Sequence, residues 1–240
     1  MDNKSSHKKT IGIIGGLGPK ATVRLFDHIV DFTDAQKDQD HIRIIIDNNP
    51  HIPDRTAAIL CGAESPEPKM TESARLLKNA GADFIIIPCN TSHYFVSIIA
   101  EKAGIEILSM VDETVKVLVE KKYSKVGILA TTGTIKTGIY SNKLKKNGIE
   151  PIIPDDREQE VVMDFIYNCV KAGNRNFDIR SLDRIISSLC ERGTEIIILG
   201  CTELSVGFTE MNIVGNFIDP MKVIARSAIL FAGYSVRDIS

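Results

Sequence analysis

The sequence repeats itself. Shifted by 112 residues, Leu77 meets Leu189, Gly81 meets Gly193, Asp83 meets Glu195, Ile85 and Ile86 meet Ile197 and Ile198, and Cys89 meets Cys201. A shift of 115 lays Lys9 through Ile14 on Ser124 through Leu129, with Gly12 on Gly127 and Gly18 on Gly133. Two separate segments recurring at nearly one offset indicate two similar halves, and a repeat of this kind decides architecture before any element is assigned. The rival explanation is chance similarity between two strand–loop–helix units.

Within the halves, short apolar runs alternate with amphipathic stretches. Ile11–Ile14, Ile42–Ile46, Phe84–Ile87, Val126–Ala130 and Glu195–Leu199 read as strands. Helical stretches are expected from about Lys20 to Phe32, from Thr56 to Cys61, and from Met70 to Ala80, where Gly81 supplies the stop. Polar loops are expected at 47–55 and 62–68. Strands this apolar are covered on both faces, which is the habit of parallel sheets. The expected fold is α/β: two similar, pseudo-symmetric domains with mainly parallel sheets. Residues 1–109 plus 212–240 are expected to form the first domain and 110–211 the second, with the apolar stretch Pro220–Tyr234 returning as a helix onto the first.

Composition removes several classes of function. The 240 residues are 43% hydrophobic and 25% charged, as in an ordinary globular protein, so disorder of the whole chain is excluded. Lys plus Arg number 29 against 31 Asp plus Glu, a balance without the basic field that nucleic acid or an anionic membrane requires. No apolar run approaches the roughly 20 residues of a membrane helix. The first ten residues, MDNKSSHKKT, are polar, lack a signal-peptide run and are expected to fray. The five cysteines contain no CxxC pair, and cytoplasmic thiols are the simplest reading. His7, His28, His41 and His51 have no metal-ligand spacing and read as surface or supporting residues. GGLGP does not give GxGxxG, and no GxxxxGK[ST] occurs, so neither a nucleotide cofactor nor a metal is expected. The glycine loop reads instead as a place where backbone closely approaches a small ligand.

The repeat places a cysteine after the same strand in each half: PCNTSH follows DFIII, and GCTEL follows EIIIL. Ligands of parallel α/β sheets bind beyond the carboxyl ends of the strands. If the halves face each other, Cys89 and Cys201 line one cleft from opposite sides. A helix start lowers a thiol's pKa. Two facing thiols, one ionised, can take a proton from one face of a carbon and return one to the other. Asn90, Thr91 and Thr202 supply donors for a carboxylate, as do the N–H groups of each helix start. Cys61, Cys169 and Cys190 are expected simply to pack.

GGLGP, PHIPDRT at Pro50–Thr56, PCNTSH, ATTGT at Ala130–Thr134 and GCTEL together resemble the aspartate/glutamate racemase family, with GCTEL and His93 closest to its aspartate racemases. The resemblance runs from about Thr10 to Pro220. It implies racemisation without pyridoxal phosphate or metal, by two acid/base thiols, Cys89 and Cys201, in a cleft active site. It implies that Asn90, Thr91, Ser92 and Thr202 hold the substrate, that Arg55 grips its side-chain carboxylate, and that Lys171 in NCVKAG assists. Leu17 stands among these positions where many relatives have Met. Glu203 and His93 either tune a thiol or the substrate amine, or bond to backbone. Thr132 is counted with His93 in a layer behind the substrate. The implied partners are an acidic amino acid and a second copy of the chain, with neither nucleic acid nor membrane. Glutamate or a broader set of amino acids is the alternative substrate. A dicarboxylate isomerase or decarboxylase and a non-catalytic amino-acid-binding protein are the alternative classes, though decarboxylating relatives need only one of the two cysteines.

Overall fold

The computed structural model describes residues 8–174 and 176–237. The polar leader through residue 7, His7 included, lies outside them. The first half runs β1 (Ile11–Gly15), α1 (Pro19–Phe32), β2 (Ile44–Asn48), α2 (Arg55–Cys61), α3 (Glu67–Asn79), β3 (Phe84–Ile86), α4 (Val96–Ala103) and α5 (Met110–Glu120). The second runs β4 (Lys125–Ala130), α6 (Thr132–Thr137), α7 (Ser141–Lys146), β5 (Glu150–Ile152), α8 (Asp156–Asp164), α9 (Ile179–Glu191), β6 (Ile196–Gly200), α10 (Thr202–Glu210), β7 (Phe217–Ile218) and α11 (Pro220–Phe231). A 3-10 turn, Thr91–Tyr94, precedes α4, and a π-helical segment, Phe165–Lys171, continues α8.

The strands form two sheets, in the orders β2-β1-β3 and β5-β4-β6-β7, and every ladder is parallel. The internal repeat is reproduced in the register. Gly12 of β1 pairs with Ile85 of β3, and Gly127 of β4 pairs with Ile197 of β6. Those are the residues that the two sequence shifts superpose. A Cβ on Gly12 would lie 2.9 Å from the Ala82 Cβ and 3.2 Å from the Ile85 Cγ1. On Gly127 it would lie 2.9 Å from the Ile197 Cγ1 and 3.2 Å from the Thr194 Cγ2, the corresponding neighbours of the second half. Chance similarity does not reproduce register and neighbours together.

Helices cover both faces of each sheet, as the unbroken apolar strands demand. On the first sheet, α1 and α11 pack with Ile11, Ile13 and Phe84, while α3 and α4 pack with Ile14, Ile85 and Ile87. On the second, α9, α10 and the π segment cover Leu129, Ile197 and Leu199, and α5 and α7 cover Val126, Ile128 and Ile198. Met110 of α5 lies in the first core and Val111, Val115 and Leu118 lie in the second, so this helix ties the halves together. The returning segment first adds β7 to the edge of the second sheet, and α11 then enters the first core.

Two element starts and the packing of two cysteines differ from expectation. β2 begins at Ile44, after the buried Ile42. α3 begins at Glu67 and takes Pro68 into its first turn, where a missing N–H costs nothing. Cys61 and Cys190, expected to pack, are exposed on outward helix faces, whereas Cys169 is buried. No helix among the described residues is long and apolar enough to cross a membrane.

The shared environment of the two glycines makes a prediction. Gly12→Val and Gly127→Val each overpack a strand–helix contact, so each should destabilise the protein by about 1–3 kcal/mol, and by similar amounts. Urea unfolding of the two variants checks this, and a loss confined to one of them would contradict equivalent packing.

Candidate active site

The carboxyl ends of β3 and β6 bring Cys89 and Cys201 to one narrow cavity of about 10 Å³ between the halves. Each cysteine is 6% exposed. The cavity also collects Leu17, Arg55, Asn90, Thr91, Lys171, Thr202 and Glu203, seven further residues expected from sequence. Leu17, Arg55, Lys171 and Glu203, together with Asp54, separate it from a wider cavity of about 610 Å³ under the glycine loop.

The chain around Cys89 is held by its carbonyl. Ser92 Oγ donates to Cys89 O at 2.6 Å, and His93 Nδ1 lies 2.8 Å from the same oxygen. Met110 N–H donates to His93 Nε2 at 3.0 Å, which makes Nε2 the acceptor and puts the proton on Nδ1. Burial pushes the His93 pKa down to about 4. Ser92, expected to hold the substrate, is fully buried, with its hydroxyl donated to the turn. His93 fixes the same turn to the start of α5. Thr132 faces away, toward Gln159 and Met163. Its predecessor Thr131 takes the place in the cavity wall.

Hydrogen bonds between the halves close the cleft. Thr91 Oγ1 lies 2.9 Å from both Thr131 Oγ1 and Thr134 Oγ1. Tyr140 Oη donates to Asn90 Oδ1 at 2.5 Å. With its oxygen occupied, Asn90 has Nδ2 left over, a buried donor without a partner. Thr202 Oγ1 lies 3.4 Å from Pro88 O, one residue before Cys89, and 3.2 Å from Glu203 Oε2, with one proton to share between them.

Arg55 lies at the first turn of α2 and is 7% exposed. Its Nη2 donates to Leu17 O at 2.7 Å, and its Nη1 donates to Pro53 O at 3.0 Å and Ile52 O at 3.4 Å. Three of the five N–H donors of the guanidinium that the resemblance sets on the substrate's side-chain carboxylate are thus held by main chain. Nε is left buried without a hydrogen-bond partner. Burial works against the Arg55 charge, but neighbouring Cys89 and Asp54 more than offset it and raise its pKa. The glycine loop serves chain packing as much as ligand approach. Gly16 (φ +88°) lies against the Asn49 backbone, and a Cβ on Gly18 would meet Glu203 Oε1 at 2.9 Å.

The second thiol has the opposite surroundings. Cys201 is the N-cap of α10, and its Sγ–H donates to Glu203 Oε2 at 3.0 Å. Burial and the Glu203 carboxylate push the thiol well up, against the pull of Lys171. The expected lowering by the helix start is outweighed here, because the dipole acts from one end while desolvation and a full negative charge act at the sulfur. Lys171 Nζ lies 3.9 Å from Glu203 Oε1 and 4.0 Å from Asp54 Oδ2, and 4.5 Å from the centre of the Tyr167 ring. Burial opposes its charge, and Glu203 and Cys201 more than restore it. Tyr167 Oη donates to Asp54 Oδ2 at 3.1 Å. Tyr167 and Lys171 both lie in the π-helical segment, an irregularity often found at functional sites.

Sequence reasoning missed Asp54, Thr56, Thr131 and Tyr167 in the wall, and Tyr140 behind it. Asp54 had a signal, since it precedes Arg55 as an N-cap residue. Tyr167 and Tyr140 had none. Among the described residues no cluster of His, Cys, Asp and Glu is arranged to hold a metal.

An α/β protein with a thiol at the matching strand end of each half defines a class, that of two-domain cleft proteins with paired cysteines. The chain belongs to the Asp/Glu/hydantoin racemase family, whose profile matches residues 14–228. It is similar in structure to an aspartate racemase of Picrophilus torridus, with 33% identity, a TM-score of 0.82, and coverage of 95% of this chain and 96% of the other. In sequence it is 29% identical over 225 residues to the broad specificity amino-acid racemase RacX of Bacillus subtilis, covering 91% of this chain and 96% of the relative. It shares its fold with a glutamate racemase of Francisella tularensis at 20% identity and a TM-score of 0.63, covering 95% and 82% of the two chains.

The burial of His93 carries a pH dependence. Its pKa is lower folded than unfolded, so its contribution is whole above about pH 6.5 and is lost as the pH falls toward 4. Denaturant unfolding should lose about 2–3 kcal/mol over that window beyond what His93→Gln loses. Equal losses in the two proteins would show that His93 is not held neutral.

Proposed function

We propose that this chain is a cofactor-independent amino-acid racemase that interconverts L- and D-aspartate with Cys89 and Cys201 as its two proton-transfer groups. The observation that carries this reading is the pairing of two equally buried thiols, one from each half, in a cavity with two unsatisfied buried donors, Arg55 Nε and Asn90 Nδ2. An α-proton is weakly acidic, and its removal requires the carbanion's charge to be spread into the α-carboxylate. Buried donors without partners suit that developing charge, because nothing has to reorganise to meet it. Glu203 and Asp54 are the acidic groups available to the substrate's ammonium, and Lys171 the cation for a second carboxylate. The likeness to the Picrophilus torridus aspartate racemase supports aspartate. The five free thiols suit a cytoplasmic setting, and a homodimer belongs to the same reading.

A second substrate reading has its own observation. Main-chain carbonyls take three of the five Arg55 N–H donors, which leaves only Nε–H and one Nη2–H to hold a side-chain carboxylate. That favours a wider range of amino acids, as the name of the Bacillus subtilis relative states for that protein.

Incubation with L-aspartate, L-glutamate and L-alanine in D2O without added cofactor separates these readings by proton NMR and optical rotation. The expected result is α-deuteration with loss of rotation, fastest on aspartate, with racemisation reduced more than about 100-fold in Cys89→Ala and Cys201→Ala. Alanine racemised as fast as aspartate would establish the broad range. No exchange on any of the three by folded, reduced protein would overturn the racemase assignment.

A further inference from the structure

The two cysteines are equivalent in the fold but not in their surroundings. The shift that superposes Cys89 on Cys201 also superposes Thr91 on Glu203. At the first site this position carries a neutral hydroxyl turned away across the cleft to Thr131 and Thr134. At the second it carries a carboxylate turned back onto its own cysteine, 3.0 Å from Sγ. The nearest cations are divided in the opposite sense. Arg55, with its unpartnered Nε, is paired electrostatically with Cys89, while the Lys171 ammonium is engaged by Glu203 and Asp54. Both cysteines are 6% exposed as residues, so overall burial does not distinguish them.

We infer that Glu203 is a positioning residue that keeps the proton on Cys201, so that the free protein enters its reaction with Cys201 as the acid and Cys89 as the base. The hydrogen bond fixes the direction: Glu203 offers only acceptor oxygens when ionised, and Sγ reaches it by donating. The thiol's raised pKa agrees with this. The charged and titratable groups facing Cys201 are Glu203 from α10, Lys171 and Tyr167 from the π segment, Asp54 and Arg55 from α2, and Cys89 across the cavity. Lys171 is the cation within 4 Å of Glu203 and is shared with Asp54, and Arg55 also feels the Glu203 charge.

The role assigned to Cys201 rests on the racemase reading. In that reaction the substrate C–H bond breaks as Cys89 gains the proton, and the Cys201 S–H bond breaks as the opposite face of the carbon gains one. The product leaves the two thiols with exchanged states, and Glu203 then favours return of the proton to Cys201 before the next turnover from the same enantiomer.

The proton's place is read without turnover, by the initial rates at which iodoacetamide modifies each cysteine of the full chain, mapped by peptide mass spectrometry. The exposed Cys61 and Cys190 serve as internal standards. At pH 7.5 Cys89 should be modified at least tenfold faster than Cys201, and Cys201 should be measured also in Cys89→Ser so that prior modification cannot block it. Glu203→Gln should speed Cys201 about tenfold relative to the standards, the factor that one pKa unit gives below the pKa. In the unsubstituted protein, the rate at Cys201 should also rise at higher pH than that at Cys190, which tests the proposal should Glu203→Gln not fold. Equal rates at Cys89 and Cys201, or a Cys201 rate unmoved by Glu203→Gln, would overturn it. Asymmetric modification without deuterium exchange would retain the proton placement and discard the racemase.

Discussion

The cleft is governed by one constraint: polar groups removed from water at the seam of the halves must find partners in the opposite half. Parallel strands deliver their carboxyl ends to one edge, and here both edges face inward. The turns beyond them carry hydroxyls, amides and carbonyls that are costly to bury unpaired. The partners come from across the seam. Thr91 meets Thr131 and Thr134, Asn90 meets Tyr140, Thr202 meets Pro88, and Asp54 meets Tyr167. These bonds fix the separation and tilt of the two cysteine turns. They also make the remaining unpaired donors informative. Arg55 Nε and Asn90 Nδ2 lie among groups that are otherwise satisfied, in the same small cavity as the thiols.

Most of the fold was legible in the sequence because duplication leaves two independent records of the same geometry. The strand register, the tight strand glycines and the placement of Cys89 and Cys201 all follow from the superposed segments. What was not legible was contact across the seam. Tyr140 and Tyr167 are distant in sequence from the turns they support, and neither has a counterpart that the repeat would flag. Thr132 illustrates the limit of local reasoning. The ATTGT segment was singled out correctly, but Thr131 caps α6 and reaches the cavity wall, while the next residue points the other way. Ser92 and Arg55 show the same limit from another side. Each is where the motifs place it, but main-chain carbonyls have taken the Ser92 hydroxyl and three of the five Arg55 donors that a motif leaves free for a ligand.

A duplicated fold supplies two like sites, and proton transfer through a carbon needs two unlike ones. If both thiols were protonated no base would be present, and if both were ionised their mutual repulsion would oppose the state. One position in each motif breaks the equivalence here. At residue 91 a hydroxyl strengthens the seam, and at its counterpart 203 a carboxylate accepts a hydrogen bond from the thiol two residues back. The helix dipole contributes to each turn but cannot by itself distinguish them. The scaffold's symmetry therefore brings the two sulfurs to one cavity, and the departures from symmetry at Arg55, Glu203 and Lys171 determine how charge is divided between them.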